Sequence, residues 1–284
     1  MRPVIPRKTI LGEIRFEGVG VHSGRPVRMV LRPADGGSIV FRRADLGGLE
    51  TAVDAGRIEA LNSTAIVGRD FKVRTVEHVL ASFFAFAITD AVVELDADEI
   101  PILDGSALPL VRALEKAGTR PAAGAVRILR VRKPFAVEEN GASVAVEPAP
   151  AGEGLWLTYT IDYSHPAIGR QTLGLALTPE TFAAEIAPAR TFGFAEDVEM
   201  LHNRGLALGS SFENTVVLDA GGIRNGPLRF PDEFVRHKLL DLAGDLALLG
   251  RPVAGRITAC KAGHRLHLQV VRFLKGNPEF WTEE

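Results

Sequence analysis

The chain has 284 residues, long enough for two domains at about 150 residues each. Hydrophobic residues make up 46% and charged residues 24%, with 33 Lys+Arg against 35 Asp+Glu and a net charge of -2. That balance excludes a disordered chain and a basic field that would draw the protein to nucleic acid or anionic lipid.

The single cysteine, Cys260, excludes an internal disulfide framework and any zinc site built from several thiolates, and it suits a reducing cytoplasm. The opening MRPVIPRKTILGEIRFEGVG never builds an apolar core and reads as no signal peptide. The longest apolar run, residues 79–89, is broken by Ser82 and closed by Asp90. It falls short of the roughly 20 residues needed to span a bilayer, so a soluble protein with no transmembrane segment is expected.

In chain order, VRMVLR (27–32) places Val27, Met29 and Leu31 on one face of a strand, and SIVFRR follows the Asp35-Gly36-Gly37 turn. TVEHVLASFFAFA (75–87) lacks Gly and Pro and predicts a helix capped by Thr75. A strand, AVVEL, and the turn-rich DEIPILDGS come next. They lead to a helix over 107–116 with Ser106 as N-cap and Gly118 just past its end. Residues 121–124, Pro-Ala-Ala-Gly, are the one small-residue stretch between two patterned halves. They predict a boundary between domains at 1–122 and 125–284.

The second half opens on a hairpin, FAVEENGASVAV, whose Asn140-Gly141 signals a type I′ turn. LWLTYTI alternates as a half-buried strand, Thr178-Pro179 starts a helix, a second short helix ends at Gly205, and NTVVLD is a strand. Residues 232–250 form the most regular helix, with Val235, Leu239, Leu242, Leu246 and Leu249 on one stripe and Gly250 and Pro252 as stops. A strand, GRITACK, and a helix over 264–274 complete the chain. Each half runs from a long helix bearing a histidine to a strand and a second helix. That order predicts an α+β protein of two similarly built domains, each laying helices on one face of a sheet.

His237, Asp241 and Asp245 stand at i, i+4 and i+8, a polar stripe roughly 120° from the leucines. Read alone, such a stripe is a solvated helix face. Read chemically, a histidine and a carboxylate on adjacent turns can grip one cation. Glu77-His78 shares the ambiguity: a polar helix edge, or a ligand beside a general base. His264 follows Lys261-Ala262-Gly263 at a strand–helix junction, either a polar loop residue or a side chain projected from a sheet end. His22, His165, His202 and His267 have no partner at ligand spacing and are expected to be structural or exposed. Three protein ligands with an open position mark catalytic zinc, and two His with one carboxylate also mark non-haem iron oxygenases. Glu77 and the extra histidine favour hydrolysis, because they supply a base and an acid for water attack. A non-enzymatic binding protein with a solvated polar helix is the third alternative.

The segments GVGVHSG (18–24), TVEH (75–78), EIPILDGSA (99–107), HPAI (165–168), ARTFGF (189–194), FVRHKLLDLAGDL (234–246) and KAGH (261–264) together resemble the UDP-3-O-acyl-N-acetylglucosamine deacetylase family, the zinc enzymes of the committed step of lipid A synthesis. The matches run in order over nearly the whole chain. The resemblance implies that His78, His237 and Asp241 bind Zn2+, with Fe2+ possible in the cell, and that Glu77 deprotonates the metal-bound water. His264 would be the cationic acid, Asp245 its orienting partner, and Thr191 a hydrogen-bond donor to the tetrahedral intermediate. Phe192 and Lys238 would contact the sugar, and Lys261 would lie near the nucleotide phosphates. The implied fold is two two-layer sandwiches, each with a small insert, here mapped to about 38–58 and about 191–220. The second insert would form a passage for the acyl chain, lined by Phe194, Val198, Leu201 and Leu206. The implied partner is the acylated UDP-sugar, not nucleic acid, and a cytoplasmic monomer is expected.

Overall fold

The computed structural model describes residues 5–53, 57–60 and 62–284. The alternation of Val27, Met29 and Leu31 against Arg28 and Arg32 makes Pro26–Pro33 a strand buried on one face. It pairs antiparallel with Ile14–Val19 and with Ala91–Leu95. Ile39–Arg43 lies parallel to Ala91–Leu95, and Leu49–Ala52 forms the edge of this five-stranded sheet. In the second half, Val253–Cys260 is central to a seven-stranded sheet, antiparallel to Ala142–Glu147 and parallel to Leu155–Asp162. The mixture of sheets and helices is α+β, as the patterning predicts. Asn140 and Gly141 both take positive φ, 50° and 79°, so the hairpin turns where the Asn-Gly pair indicates.

Two segments differ from expectation. Residues 121–124, expected at the domain boundary, lie within the strand Thr119–Val126, which pairs with Ile5–Ile10. Pro and Gly are tolerated there because this two-stranded ribbon is all edge. Residues 39–52 of the expected first insert belong to the five-stranded sheet, and residues 54–56 lie outside the described residues. A separate three-stranded sheet is built instead by Arg57–Ala60, Thr64–Val67 and Lys72–Arg74. The 191–220 segment does carry a small sheet of its own, started by Phe192–Phe194 and Val216–Asp219, with the short helix Val198–Asn203 between them. Among the described residues no helix is long and apolar enough to cross a membrane.

The helix Glu77–Ala85 is buried on nearly every side, and the helix Glu233–Leu246 packs along it. Thr75 does not cap the first of these. It takes a positive φ of 59°, and its hydroxyl donates to Glu99 instead. Ser106 stands one residue before the cap of Leu108–Ala117 and accepts the Leu108 N–H at 3.2 Å. The stripe of Val235, Leu239, Leu242, Leu246 and Leu249 enters the core. The opposite stripe, His237, Asp241 and Asp245, is buried as well. The solvated-face reading therefore fails, because the helix Glu77–Ala85 covers that face.

Gly244 sets how closely the two helices approach. A Cβ built there would lie 2.1 Å from the Glu77 carbonyl oxygen, a distance no side chain tolerates. Overpacking a core of this kind costs typically about 1–3 kcal/mol, and here the obstacle is rigid backbone. Gly244→Val is therefore expected to lower the free energy of unfolding measured in urea by at least that amount, with a lower midpoint. An unchanged midpoint would show that the helices are not held at this distance.

Candidate active site

The close helix pair brings Glu77 and His78 against His237, Asp241 and Asp245. His78, His237 and Asp241 each offer a ligand atom, all within 4.8 Å of one another. The two imidazoles meet edge to face, with centroids 5.2 Å apart. His237 Nδ1 lies 3.0 Å from the Ala189 carbonyl oxygen, so that nitrogen donates, leaving Nε2 as a lone pair 3.5 Å from Asp241 Oδ1. The bond from Nδ1 to Ala189 fixes the tautomer that coordination through Nε2 needs.

Burial penalises charge at every group here, and the neighbours decide which keep it. His78 is driven down to about 3 by burial and by the adjacent His237. Burial lowers His237 too, against the pull of Asp241. Both rings are neutral at pH 7. Burial would raise Asp241, but Lys238 and His237 hold it far below the carboxylate range. Lys238 Nζ donates to Asp241 Oδ2 at 2.7 Å. Despite burial, that carboxylate pushes Lys238 up to about 12. Two neutral imidazoles and one ionised carboxylate form a donor set for a divalent cation.

Glu77 and His264 flank this triad. Glu77 Oε2 accepts the Thr64 backbone N–H at 3.1 Å, and Oε1 lies 3.9 Å from His264 Nε2. Burial lifts the Glu77 carboxyl to about 8, against the pull of His264. His264 opens its helix, with Nε2 also 3.9 Å from Asp241 Oδ2 and Nδ1 2.8 Å from Asp245 Oδ2. Burial opposes its charge, but Asp245 raises it to about 10. Asp245 is itself held low, since His264 overcomes the effect of its burial. Asp245 Oδ1 accepts the Thr64 hydroxyl at 2.5 Å, and Oδ2 accepts His267 Nδ1 at 2.7 Å. His267 thus has an acidic partner that its sequence spacing does not reveal.

The triad opens into a cleft of about 430 Å³. Thr191, Phe192, Phe194, Val198, Leu201 and Lys238 line it, whereas Leu206 does not and its neighbour Ala207 does. Lys238 Nζ sits 5.7 Å from the Phe192 ring centroid, within cation–π reach. The Thr191 backbone is pinned by Gly105 and Val216, and its hydroxyl has no partner among the described residues. Lys261 lies outside the cleft, exposed, with Nζ 2.7 Å from Asp162. His22 lines the cleft as well. Its loop is held by the fully buried Glu99, which accepts the backbone N–H groups of His22 and Ser23. Nothing in the local pattern singles out Thr64, Glu99 or His22, because each acts across a long sequence separation.

A sequence model of the family described as UDP-3-O-acyl N-acetylglycosamine deacetylase matches residues 7–275. The chain is 42% identical over 279 residues to the UDP-3-O-acyl-N-acetylglucosamine deacetylase of Nitratidesulfovibrio vulgaris, covering 97% of this chain and 89% of that protein. It is 43% identical over 271 residues to the enzyme of that name from Thermosynechococcus vestitus, covering 94% and 93%. With that from Thermodesulfovibrio yellowstonii it shares 39% identity over 269 residues, covering 94% and 91%.

The electrostatics of the site give the metal-free protein a defined pH dependence. His264 is raised from 6.5 to about 10 in the fold, so the stability it contributes is complete below 6.5 and lost as pH climbs through about 10. Glu77, raised from 4.5 to about 8, acts in the same direction at lower pH. Chelator-treated protein should therefore lose stability to urea between pH 6.5 and 10, and His264→Gln should flatten the upper part of that decline. An equally steep decline in the variant would show that His264 is not held protonated.

Proposed function

The chain belongs to the UDP-3-O-acyl N-acetylglycosamine deacetylase family, and from that premise we propose that it is a zinc-dependent amide hydrolase of the lipid A pathway. In this reading it removes the acetyl group of UDP-3-O-acyl-N-acetylglucosamine, giving the free 2-amine and acetate. The observation that carries it is the triad of His78, His237 and Asp241 with Glu77 and His264 beside it at the floor of a partly apolar cleft. Two neutral imidazoles and an ionised carboxylate, all buried, suit zinc better than magnesium or calcium, which favour all-oxygen ligands.

A zinc ion in this triad supplies Lewis acidity, which polarises a carbonyl and lowers the pKa of water towards 7. Glu77, anchored by Thr64, takes the proton from the attacking water, and the positive charge of a cation at the triad draws its carboxyl back towards the ionised form that this requires. As the water oxygen joins the amide carbon, charge develops on the carbonyl oxygen. The Thr191 hydroxyl and the His264 cation donate to that oxygen. The C–N bond then breaks, and His264 gives its Nε2 proton to the departing amine while Asp245 keeps hold of Nδ1. Lys238 and Phe192 contact the sugar, the 3-O-acyl chain follows Phe194, Val198 and Leu201, and Lys261 reaches the phosphates by exchanging its Asp162 partner. The same donor set serves iron oxygenases, but a buried base and a protonated histidine flanking it fit water attack. Fe2+ is the alternative ion for the hydrolase.

The halves built on the five-stranded and seven-stranded sheets are proposed as two domains, dividing near residues 122–125 and meeting at this site. All the groups named come from one chain, which suits a monomer. The lone Cys260 and a nucleotide-sugar substrate suit the cytoplasm.

Acetate release from the acylated nucleotide sugar, measured beside metal content, tests this assignment. Ala at His78, His237 or Asp241 should remove both metal and activity. Glu77→Gln and His264→Gln should keep the metal and lose about 10²–10⁴ in kcat. Full acetate release by Asp241→Ala, or oxygen consumption in place of acetate release, would overturn it. The passage has its own test. Val198→Trp should lower kcat/KM for long-chain substrates more than for short ones, since each methylene excluded forfeits about 0.8 kcal/mol. Equal losses would place the acyl chain elsewhere.

A further inference from the structure

We propose that Tyr159 and His267 are positioning residues for His264, bracing it from two sides at once; the inference rests on the acid role assigned to His264 above. The first brace is at its carboxylate. Asp245 Oδ2 lies 2.8 Å from His264 Nδ1 and 2.7 Å from His267 Nδ1, so one oxygen receives both rings. Residues 264 and 267 are neighbours on one helix face, with ring centroids 6.0 Å apart and planes at 77°. With Thr64 on Oδ1, Asp245 is pinned by three donors and has no freedom to rotate away from His264. Asp245 and His267 are both completely buried, so no water can replace a donor that is removed.

The second brace is at the backbone. Tyr159 Oη donates to the Ala262 carbonyl oxygen at 2.7 Å and lies 3.2 Å from His267 Nε2. Ala262 belongs to the turn that delivers His264 to the site, between Lys261 at φ 52° and Gly263. A non-glycine residue in the left-handed region is costly unless its surroundings hold it there. The Tyr159 hydroxyl, whose one proton goes to Ala262, supplies that hold, and the Tyr159 ring packs edge to face on His267, which in turn holds Asp245 beside His264. Side chains that only filled space would need neither the hydroxyl nor the second imidazole.

Three variants separate bracing from packing. Tyr159→Phe removes one hydroxyl and little else. His267→Leu removes the donor to Asp245. His267→Asn keeps an N–H on the same branch from Cγ as Nδ1. The readouts are kcat and KM for acetate release, metal content, and the proton NMR signal of the His264 Nδ1–H. Tyr159→Phe and His267→Leu should lose about 10-fold or more in kcat, the scale of lost outer-shell partners, with KM and metal content unchanged. In both the Nδ1–H signal should shift or broaden, and His267→Asn should restore kcat and signal together. Tyr159→Phe with wild-type kcat and an unmoved signal would overturn the proposal, even if His267→Leu does not fold. Loss of metal in His267→Leu and His267→Asn alike would also overturn it, by showing a packing role. If the wild-type protein releases no acetate, the functional reading fails while the NMR comparison still decides the bracing.

Discussion

Two helices can share a buried polar seam only if their backbones come close enough for short side chains to bridge them. At Gly244 the helix Glu233–Leu246 meets the carbonyl of Glu77 with no room for a Cβ. Everything chemical in the molecule follows from that approach. Glu77 and His78 come from one helix and His237, Asp241 and Asp245 from the other, and His78 could not join His237 and Asp241 in one cluster if the helices stood apart by the width of an ordinary side chain. A glycine in a helix interior costs roughly 0.5–1 kcal/mol against alanine, a cost that packing must offset. The leucines on the far side of the same helix, sunk in the core, supply that packing.

The seam carries charges that burial opposes, and the arrangement limits them by pairing. Asp241 is matched with Lys238, and Asp245 with His264. His78 and His237 stay neutral, and Glu77 is pushed towards its neutral form. The cluster is thus prepared for one more positive charge at the triad. A cation there would relieve the carboxylates and draw Glu77 towards its ionised form, the form that its proposed role as base requires. His264 stands beside Glu77, and Asp245 favours its charged form against burial. The two groups proposed for proton transfer, with their opposed protonation demands, can therefore coexist 3.9 Å apart.

Sequence spacing carried the stripe His237–Asp241–Asp245, because i, i+4 periodicity is local. Whether that stripe faced water or a second helix was not local, and the decisive residue, Gly244, looks like any other small helix residue. The hairpin at Asn140-Gly141 was legible since turn chemistry lies in two adjacent residues. That the stretch at 121–124 lies in a strand was hidden, because Pro and Gly suit edge strands as well as turns, and whether Thr119–Val126 finds a partner depends on Ile5–Ile10 at the other end of its half. The same limit hid Thr64, whose hydroxyl reaches Asp245 across 181 positions, and His267, whose carboxylate partner lies on a different helix. Roles for Thr191, Phe192 and Lys238 came from ordered motif resemblance, not from any periodicity.

Zinc-edge X-ray absorption on the purified protein tests the central claim most directly, since it counts the ligands of the bound ion without assuming a reaction. The account predicts one zinc per chain with two imidazole nitrogens and oxygen ligands at about 2.0–2.2 Å, and loss of the zinc, or of one of its two imidazoles, in His237→Ala. Zinc bound by oxygen alone, or two imidazoles still bound in both His78→Ala and His237→Ala, would contradict it.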